Sequence, residues 1–278
     1  MKASVACYKL SKLAVFVVLI PGIAINVSSA HRADSLRRDL YRAVLTHDET
    51  RVKRCLSNGA NPNLRGALLE PKTFNDKLTS LFTDSSSYPT PLLASLTKYA
   101  LTQYSPGRYY FVPRPDINPS AGIVKALLDA GADPNATDYY YTTPLQQAVR
   151  SDNAECVQLL ILHGAKLGSH GNDSALDVAV KEGTPRMVEG LVKLGAKAGE
   201  IDGNGETGLH VLGYWPRANA VAIAQVLVAS GCPLRVRDKQ GLTPEDIVSS
   251  RLQTITNTAQ VAELKKLQAY LRSIHSPR

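Results

Sequence analysis

The stretch Gly131-Ala132-Asp133-Pro134-Asn135-Ala136, followed by Thr143-Pro144-Leu145, decides the fold. Its parts return along the chain. A Gly-Ala step, or its Gly-Cys variant, stands at Gly59, Gly131, Gly164, Gly195 and Gly231. An opening Thr-Pro or its equivalent stands at Thr90, Thr143, Ser174, Thr207 and Thr243. From Gly131 to Gly164 is 33 residues, and the next two steps are 31 and 36. A unit recurring at this period cannot bury its apolar face alone, and stacking the copies makes one continuous core.

Each residue type in the phrase has a mechanical role. Thr90, Thr143, Thr207 and Thr243 suit the N-cap of a first helix, where a hydroxyl accepts from an unpaired backbone N–H. Pro91, Pro144 and Pro244 follow at the first helical position, where the missing N–H costs nothing. Val157, Leu160 and Ile161 show the apolar spacing of a second helix. Gly164 ends it, because glycine takes the left-handed conformation cheaply. Asp133-Pro134-Asn135 then turns the chain towards the next threonine.

On these motifs the chain resembles the ankyrin repeat family from about Ser35 to Ile274. The resemblance implies an all-α solenoid of about six helix–turn–helix units with hairpin fingers, and a role in binding rather than catalysis. The first unit, rich in arginine, and the last, with Glu263, Lys265 and Lys266 on its second helix, read as wettable caps.

Lys2, Lys9 and Lys12 precede an apolar run from Leu13 to Ile20, and Ser28-Ser29-Ala30 follows. This pattern predicts a signal peptide over residues 1–30, cut after Ala30, and a repeat domain over 31–278. The segment concerns a membrane only if it stays uncleaved. Export points to a periplasmic or secreted setting, and the combination looks like a bacterial envelope protein. Losing three lysines lowers the formal charge from +8 to +5, a balance that favours an acidic partner slightly and does not indicate nucleic-acid binding. Cys55, Cys156 and Cys232 fall in different repeats and read as small buried side chains, not as a disulfide framework.

The departures from the repeat carry the functional information. A finger takes 12 residues from Gly131 to Thr143 but 31 from Gly59 to Thr90, which places a first insertion at about 67–89. From Thr90 to Gly131 is 41 residues where 21 is usual, which places a second insertion at about 99–119, between the helices of one repeat. It carries Tyr109 and Tyr110 and is stiffened by prolines. The unit opening at Thr207 runs 24 residues to Gly231, three more than usual, and holds Tyr214, Trp215 and Arg217 at the equivalent bend. Finger tips elsewhere read Asp202-Gly203-Asn204-Gly205 and Asp238-Lys239-Gln240-Gly241, but one reads Tyr139-Tyr140-Tyr141. Tyrosine offers large contact area at low entropic cost. Packing of these rings on the neighbouring insertion is the alternative.

Gly203 to Gly208 matches a dinucleotide-binding pattern letter for letter, yet it overlays the repeat's own finger and lacks the βαβ context. His210 reads as a bridge between repeats. No metal-ligand spacing and no nucleophile elbow is present in the sequence. No catalytic residues, cofactors or metal are therefore expected. The expected function is to bind another protein through the concave face of fingers and inner helices, with Tyr139, Tyr140, Tyr141, Tyr109, Tyr110, Tyr214, Trp215 and Arg217 as anchors. A secreted effector acting on a host protein, and a cell-wall polysaccharide binder using the exposed aromatics, are the rival readings.

Overall fold

The computed structural model describes residues 19–20, 23–24, 27–65, 89–97, 99–105, 108–113, 118–138, 140–168 and 173–275. Most of the expected signal peptide and of the first insertion lies outside these residues. Two short strands, β1 (Leu19–Ile20) and β2 (Ile23–Ala24), pair antiparallel ahead of the repeats.

Six helix pairs follow among the described residues. They are α1 (Val27–Leu45) with α2 (Glu49–Ser57), α3 (Pro91–Leu96) with α4 (Ala121–Asp129), and α5 (Pro144–Arg150) with α6 (Ala154–Leu162). Then come α7 (Ala175–Glu182) with α8 (Pro185–Lys193), α9 (Gly208–Tyr214) with α10 (Ala220–Ala229), and α11 (Pro244–Thr254) with α12 (Thr258–His275). The first helices stack in one row from α1 to α11, and the second helices stack behind them, most thinly between α6 and α8. One apolar core runs the length of the stack, from Leu40 and Val52 through Leu127, Leu160, Leu191 and Leu227 to Leu271. The expected all-α solenoid of about six units is what forms. The cut expected after Ala30 falls inside α1, which starts eight residues before the unit boundary read at Ser35.

The capping chemistry follows the sequence. Thr143 accepts from Gln146 N at 3.2 Å while Gln146 Oε1 accepts from Thr143 N at 2.9 Å. Ser174 with Asp177 and Thr243 with Asp246 repeat this reciprocal pair. Two orphan donors are satisfied at each start, which fixes where the helix begins. At the other end the glycines take the left-handed conformation, with φ 85° at Gly131 and 89° at Gly164, where a Cβ would be strained. Asp48 caps as well: its carboxylate accepts from Arg51 N at 2.9 Å at the start of α2.

The second insertion is a β-hairpin, β3 (Tyr99–Ser105) with β4 (Arg108–Pro113), set between α3 and α4. Where the sequence predicts an aromatic bend, the chain forms two paired strands. Its β-prone residues flank Pro106-Gly107, a dipeptide that marks turns. Cys55, Cys156 and Cys232 are free and buried. Burial raises each thiol pKa, that of Cys156 to about 11, so they stay protonated and inert.

Candidate functional site

The finger between α4 and α5 is built on Asp138. Its Oδ1 accepts from Tyr140 N at 2.9 Å and Thr142 N at 2.8 Å, and its backbone exchanges bonds with Thr142 and Tyr141. Asp202 and Asp238 build the fingers before α9 and α11 in the same way. In those two fingers the third tip residue is Gly205 at φ 82° or Gly241 at φ 79°; here it is Tyr141 at φ 60°. A left-handed backbone costs a residue with a Cβ roughly 1–2 kcal/mol. The ring that incurs this cost is not buried: Tyr140 is 73% exposed and Tyr141 69%. Strain kept for an exposed aromatic points to use rather than to packing. Of the sequence candidates, Tyr139 lies outside the described residues. Tyr109 and Tyr110 lie in β4, paired with Gln103 and Thr102.

The bend after α9 is a different place. Ser151 to Asn153 joins α5 to α6 tightly, so paired helices run antiparallel and bends sit at the opposite end of the helices from the fingers. Tyr214, Trp215 and Arg217 therefore do not join Tyr140 and Tyr141 in one patch. The hairpin with Tyr109 and Tyr110 emerges at a bend too, with the third and fourth repeats between it and Trp215. Trp215 is 56% exposed. Tyr214 is half-buried and its hydroxyl donates to Glu206. Burial, then the charges of Asp202 and Asp238, raise the Glu206 pKa. Burial and the Glu206 charge raise that of Tyr214. Tyr214 is thus engaged within its own repeat.

The bend also brings in Arg251, which the sequence reading missed. Its Nη2 points to the carbonyl of Tyr214 at 3.5 Å. The signal was available: Arg251 stands eight residues past Thr243, as Trp215 stands eight past Thr207. Stacking places such equivalent positions side by side.

The inner helices themselves offer little surface. Every residue of α3 is buried, as are α5 through Val149 and α9 through Gly213. The concave face anticipated from sequence is thus closed along much of its floor, and the exposed aromatics stand at its two edges. His210 is fully buried; its Nδ1 accepts from Thr207 N at 3.0 Å and its Nε2 reaches Val236 O at 3.1 Å. It bridges two repeats, as expected. Gly205 and Gly208 of the dinucleotide-like pattern serve the finger turn and the packing of α9 on Leu227. Among the described residues no group of three or more His, Cys, Asp or Glu is set to hold a metal, and no helix is long and apolar enough to cross a membrane.

Residues 117–202 match a family model described as ankyrin repeats, in three copies. The chain is 30% identical over 131 residues to a putative palmitoyltransferase ZDHHC13 of Danio rerio, covering 46% of this chain and 20% of the relative. It is 30% identical over 127 residues to the nuclear factor NF-kappa-B p105 subunit of Gallus gallus, 42% of this chain and 13% of the relative. The chain thus spans a fifth or less of these relatives' length. The solved structure of an ankyrin repeat domain from Acinetobacter baumannii AYE superposes with a TM-score of 0.58 at 20% identity, covering 84% of this chain and 97% of the other. Sequence period, helix pairs, glycine-closed fingers and these similarities agree: the chain carries ankyrin repeats and folds as an ankyrin-repeat solenoid.

Proposed function

We propose that this chain is a non-enzymatic protein-binding module that grips a partner along its finger edge and works after export, in the cell envelope or outside the cell. Ankyrin repeats are a protein–protein interaction module, which supports binding as the general role. The observation that carries the specific reading is Tyr141, an exposed ring held at φ 60° where sibling fingers use glycine. A stiff finger fixes its tip before contact, so little ordering entropy opposes docking. Exposed Leu64 stands on the adjacent finger and exposed Ile201 two fingers further along the same edge. The basic, apolar and small-residue pattern of residues 1–30 supports export.

The test is affinity capture with the full chain and with the Tyr140→Ser, Tyr141→Ser double variant, alongside fractionation of the producing cells. Loss of the captured partner by a variant that still melts at the wild-type temperature supports the reading. Equal capture by both removes the finger from it. Recovery of the protein in the cytosol with residues 1–30 attached removes export.

A further inference from the structure

We propose that the free flank of the finger between α10 and α11 is a second docking site, which takes an extended acidic segment of another protein. Apolar side chains of that segment lie in a groove along the finger, and its carboxylates meet Arg235, Arg237 and Lys239. The inference rests on the reading of the chain as a protein-binding module, but on residues other than Tyr140 and Tyr141.

The flank is open because the row of fingers stops there. The residue four places past each finger glycine faces the next finger. Asn63 bonds to Gly131 O and Asp133 N, and Asn135 to Gly164 O and Lys166 N. A Cβ on Gly199 would meet Pro233 Cδ at 3.0 Å and Gly231 O at 3.5 Å. The fourth residue past Gly231 is Arg235. No further finger follows it among the described residues, since α12 runs through to His275. The other flank of this finger is occupied: Gly199 stands against Pro233, and Asn204 O accepts from Lys239 N at 2.9 Å. A shallow, open groove of about 580 Å³ remains, lined by Val228, Cys232, Pro233, Leu234 and Val236, with Arg235 beside them. No residue of the preceding finger lines it, which puts the groove on the free flank.

Charge and register name the occupant. Arg235, Arg237 and Lys239 are all exposed. Arg235 and Lys239 enter no ion pair among the described residues, and Arg237 reaches Asp246 only at 4.0 Å. The acid within the finger, Asp238, is buried, and its Oδ1 is taken up by Gln240 N and Leu242 N. The exposed cations therefore match carboxylates, with which they form charge-assisted hydrogen bonds. A segment in the groove stands where the next finger stands elsewhere in the stack. It is extended, and its backbone carbonyls meet a donor on Arg235 as Gly131 O and Gly164 O meet one on Asn63 and Asn135. A second copy stacked head to tail fits poorly. The opposite end of the stack carries Arg37, Arg38, Arg42, Arg51, Lys53 and Arg54 on α1 and α2, so like charges would meet.

The test follows the fluorescence anisotropy of a labelled synthetic peptide of alternating Glu and Val as the purified full chain is added. One counterpart carries Gln for Glu, and another Ser for Val. The expected result is saturable binding of the Glu–Val peptide and at least tenfold weaker binding of either counterpart. An Arg235→Gln, Lys239→Gln double variant is expected to lose at least tenfold in affinity and to melt at the wild-type temperature, because both side chains are exposed. Should it melt lower, the two counterpart peptides, read on the wild-type chain, decide the matter. The Tyr140→Ser, Tyr141→Ser variant is expected to bind the Glu–Val peptide as wild type does. Equal affinity for the Glu and Gln peptides, full affinity in the Arg235 and Lys239 variant, or displacement by heparin oligosaccharide at comparable concentration overturns the proposal. Self-association in sedimentation equilibrium that the same variant abolishes also overturns it, by seating a second copy on this flank. Should the Tyr140 and Tyr141 variant lose its captured partner while the Glu–Val peptide fails to bind wild type, this site falls and the tyrosine finger reading stands.

Discussion

Asn135 joins two repeats by itself: its Nδ2 donates to the carbonyl of Gly164 at 3.0 Å and its Oδ1 accepts from Lys166 N at 2.9 Å. Asn63 makes the same double bridge one repeat earlier, to Gly131 O at 2.8 Å and Asp133 N at 2.7 Å. Four residues past each finger glycine, the next two repeats carry Gly168 and Gly199, which have no side chain to continue the ladder. Asn135→Ala removes two exposed bonds, each worth about 1 kcal/mol or less where water can replace it. Urea unfolding is expected to show a loss of about 1–2 kcal/mol, with the m-value unchanged. Gly168→Ala is expected to leave stability nearly unaltered, since no bridge stands there to lose.

That ladder shows what the sequence displayed and what it hid. The glycine and threonine positions could be read directly, because the left-handed turn and the N-cap each restrict residue choice at a single position. Thr90, Thr143, Ser174 and Thr243 cap as their identities suggest. Asn135 looked like a turn residue, since its role depends on a carbonyl 29 residues away that only stacking brings near. Arg251 stayed hidden for the same reason, lying 37 residues from the carbonyl it faces. The hairpin of the second insertion was legible in its Pro106-Gly107 step but was masked by its prolines and by the helical context around it. Contacts local in sequence were visible; contacts made across a repeat boundary required alignment of one unit on the next.

Tyr141 separates stability from function. At φ 60° it stands where Gly205 and Gly241 stand, so Tyr141→Gly relieves strain without opening a core cavity. Glycine also gains freedom in the unfolded chain, which opposes the benefit by about 0.5–1 kcal/mol. A net stabilisation of up to about 1 kcal/mol remains once the roughly 1–2 kcal/mol of left-handed strain is removed. Thermal melting is expected to rise by a few degrees while partner capture weakens. A variant less stable than wild type would mean that the ring packs on the scaffold.

His210 makes the stack sensitive to acid. Burial lowers its pKa, the main effect, while the carbonyls of Leu242 and Val236 and the carboxylates of Asp238 and Asp202 pull it partly back up. The unfolded chain takes up a proton near pH 6.5 and the native state only at lower pH. The stabilisation is therefore complete above about pH 6.5 and is lost as pH falls towards the native value, by at most about 1.4 kcal/mol per unit. Glu206 and Asp177, whose pKa values are raised chiefly by burial, act in the opposite direction. The His210 contribution is isolated by His210→Gln, which keeps an acceptor for Thr207 N as Gln146 does for Thr143 N. Between pH 7.5 and 5.5 in urea, wild type is expected to lose stability relative to this variant.

At Asp177 the capping residue caps its own helix but has no donor for the next repeat. Gln146 Nε2 donates to Asp173 O at 2.8 Å, and His210 Nε2 reaches Leu242 O at 3.3 Å; each acceptor immediately precedes the next capping residue. The equivalent carbonyl for Asp177 is that of Glu206, but a carboxylate has no N–H to offer it. Burial raises the Asp177 pKa, although the Ser174 hydroxyl and amide lower it in part. For an acid with a raised native pKa the penalty is full above that value and is relieved as pH falls through it towards the unfolded value near 3.8. Asp177→Gln supplies the missing donor, keeps the acceptor for Ser174 N, and removes the buried charge. Glu206 O already accepts from Asp202 N at 2.9 Å. So does Leu242 O from Asp238 N, also at 2.9 Å, while it receives His210, so one carbonyl holds both donors. The variant is expected to gain about 1 kcal/mol at pH 7 and to lose the wild type's acid-side relief. A loss of stability at pH 7 would show that the Ser174–Asp177 bonds outweigh the charge they hold.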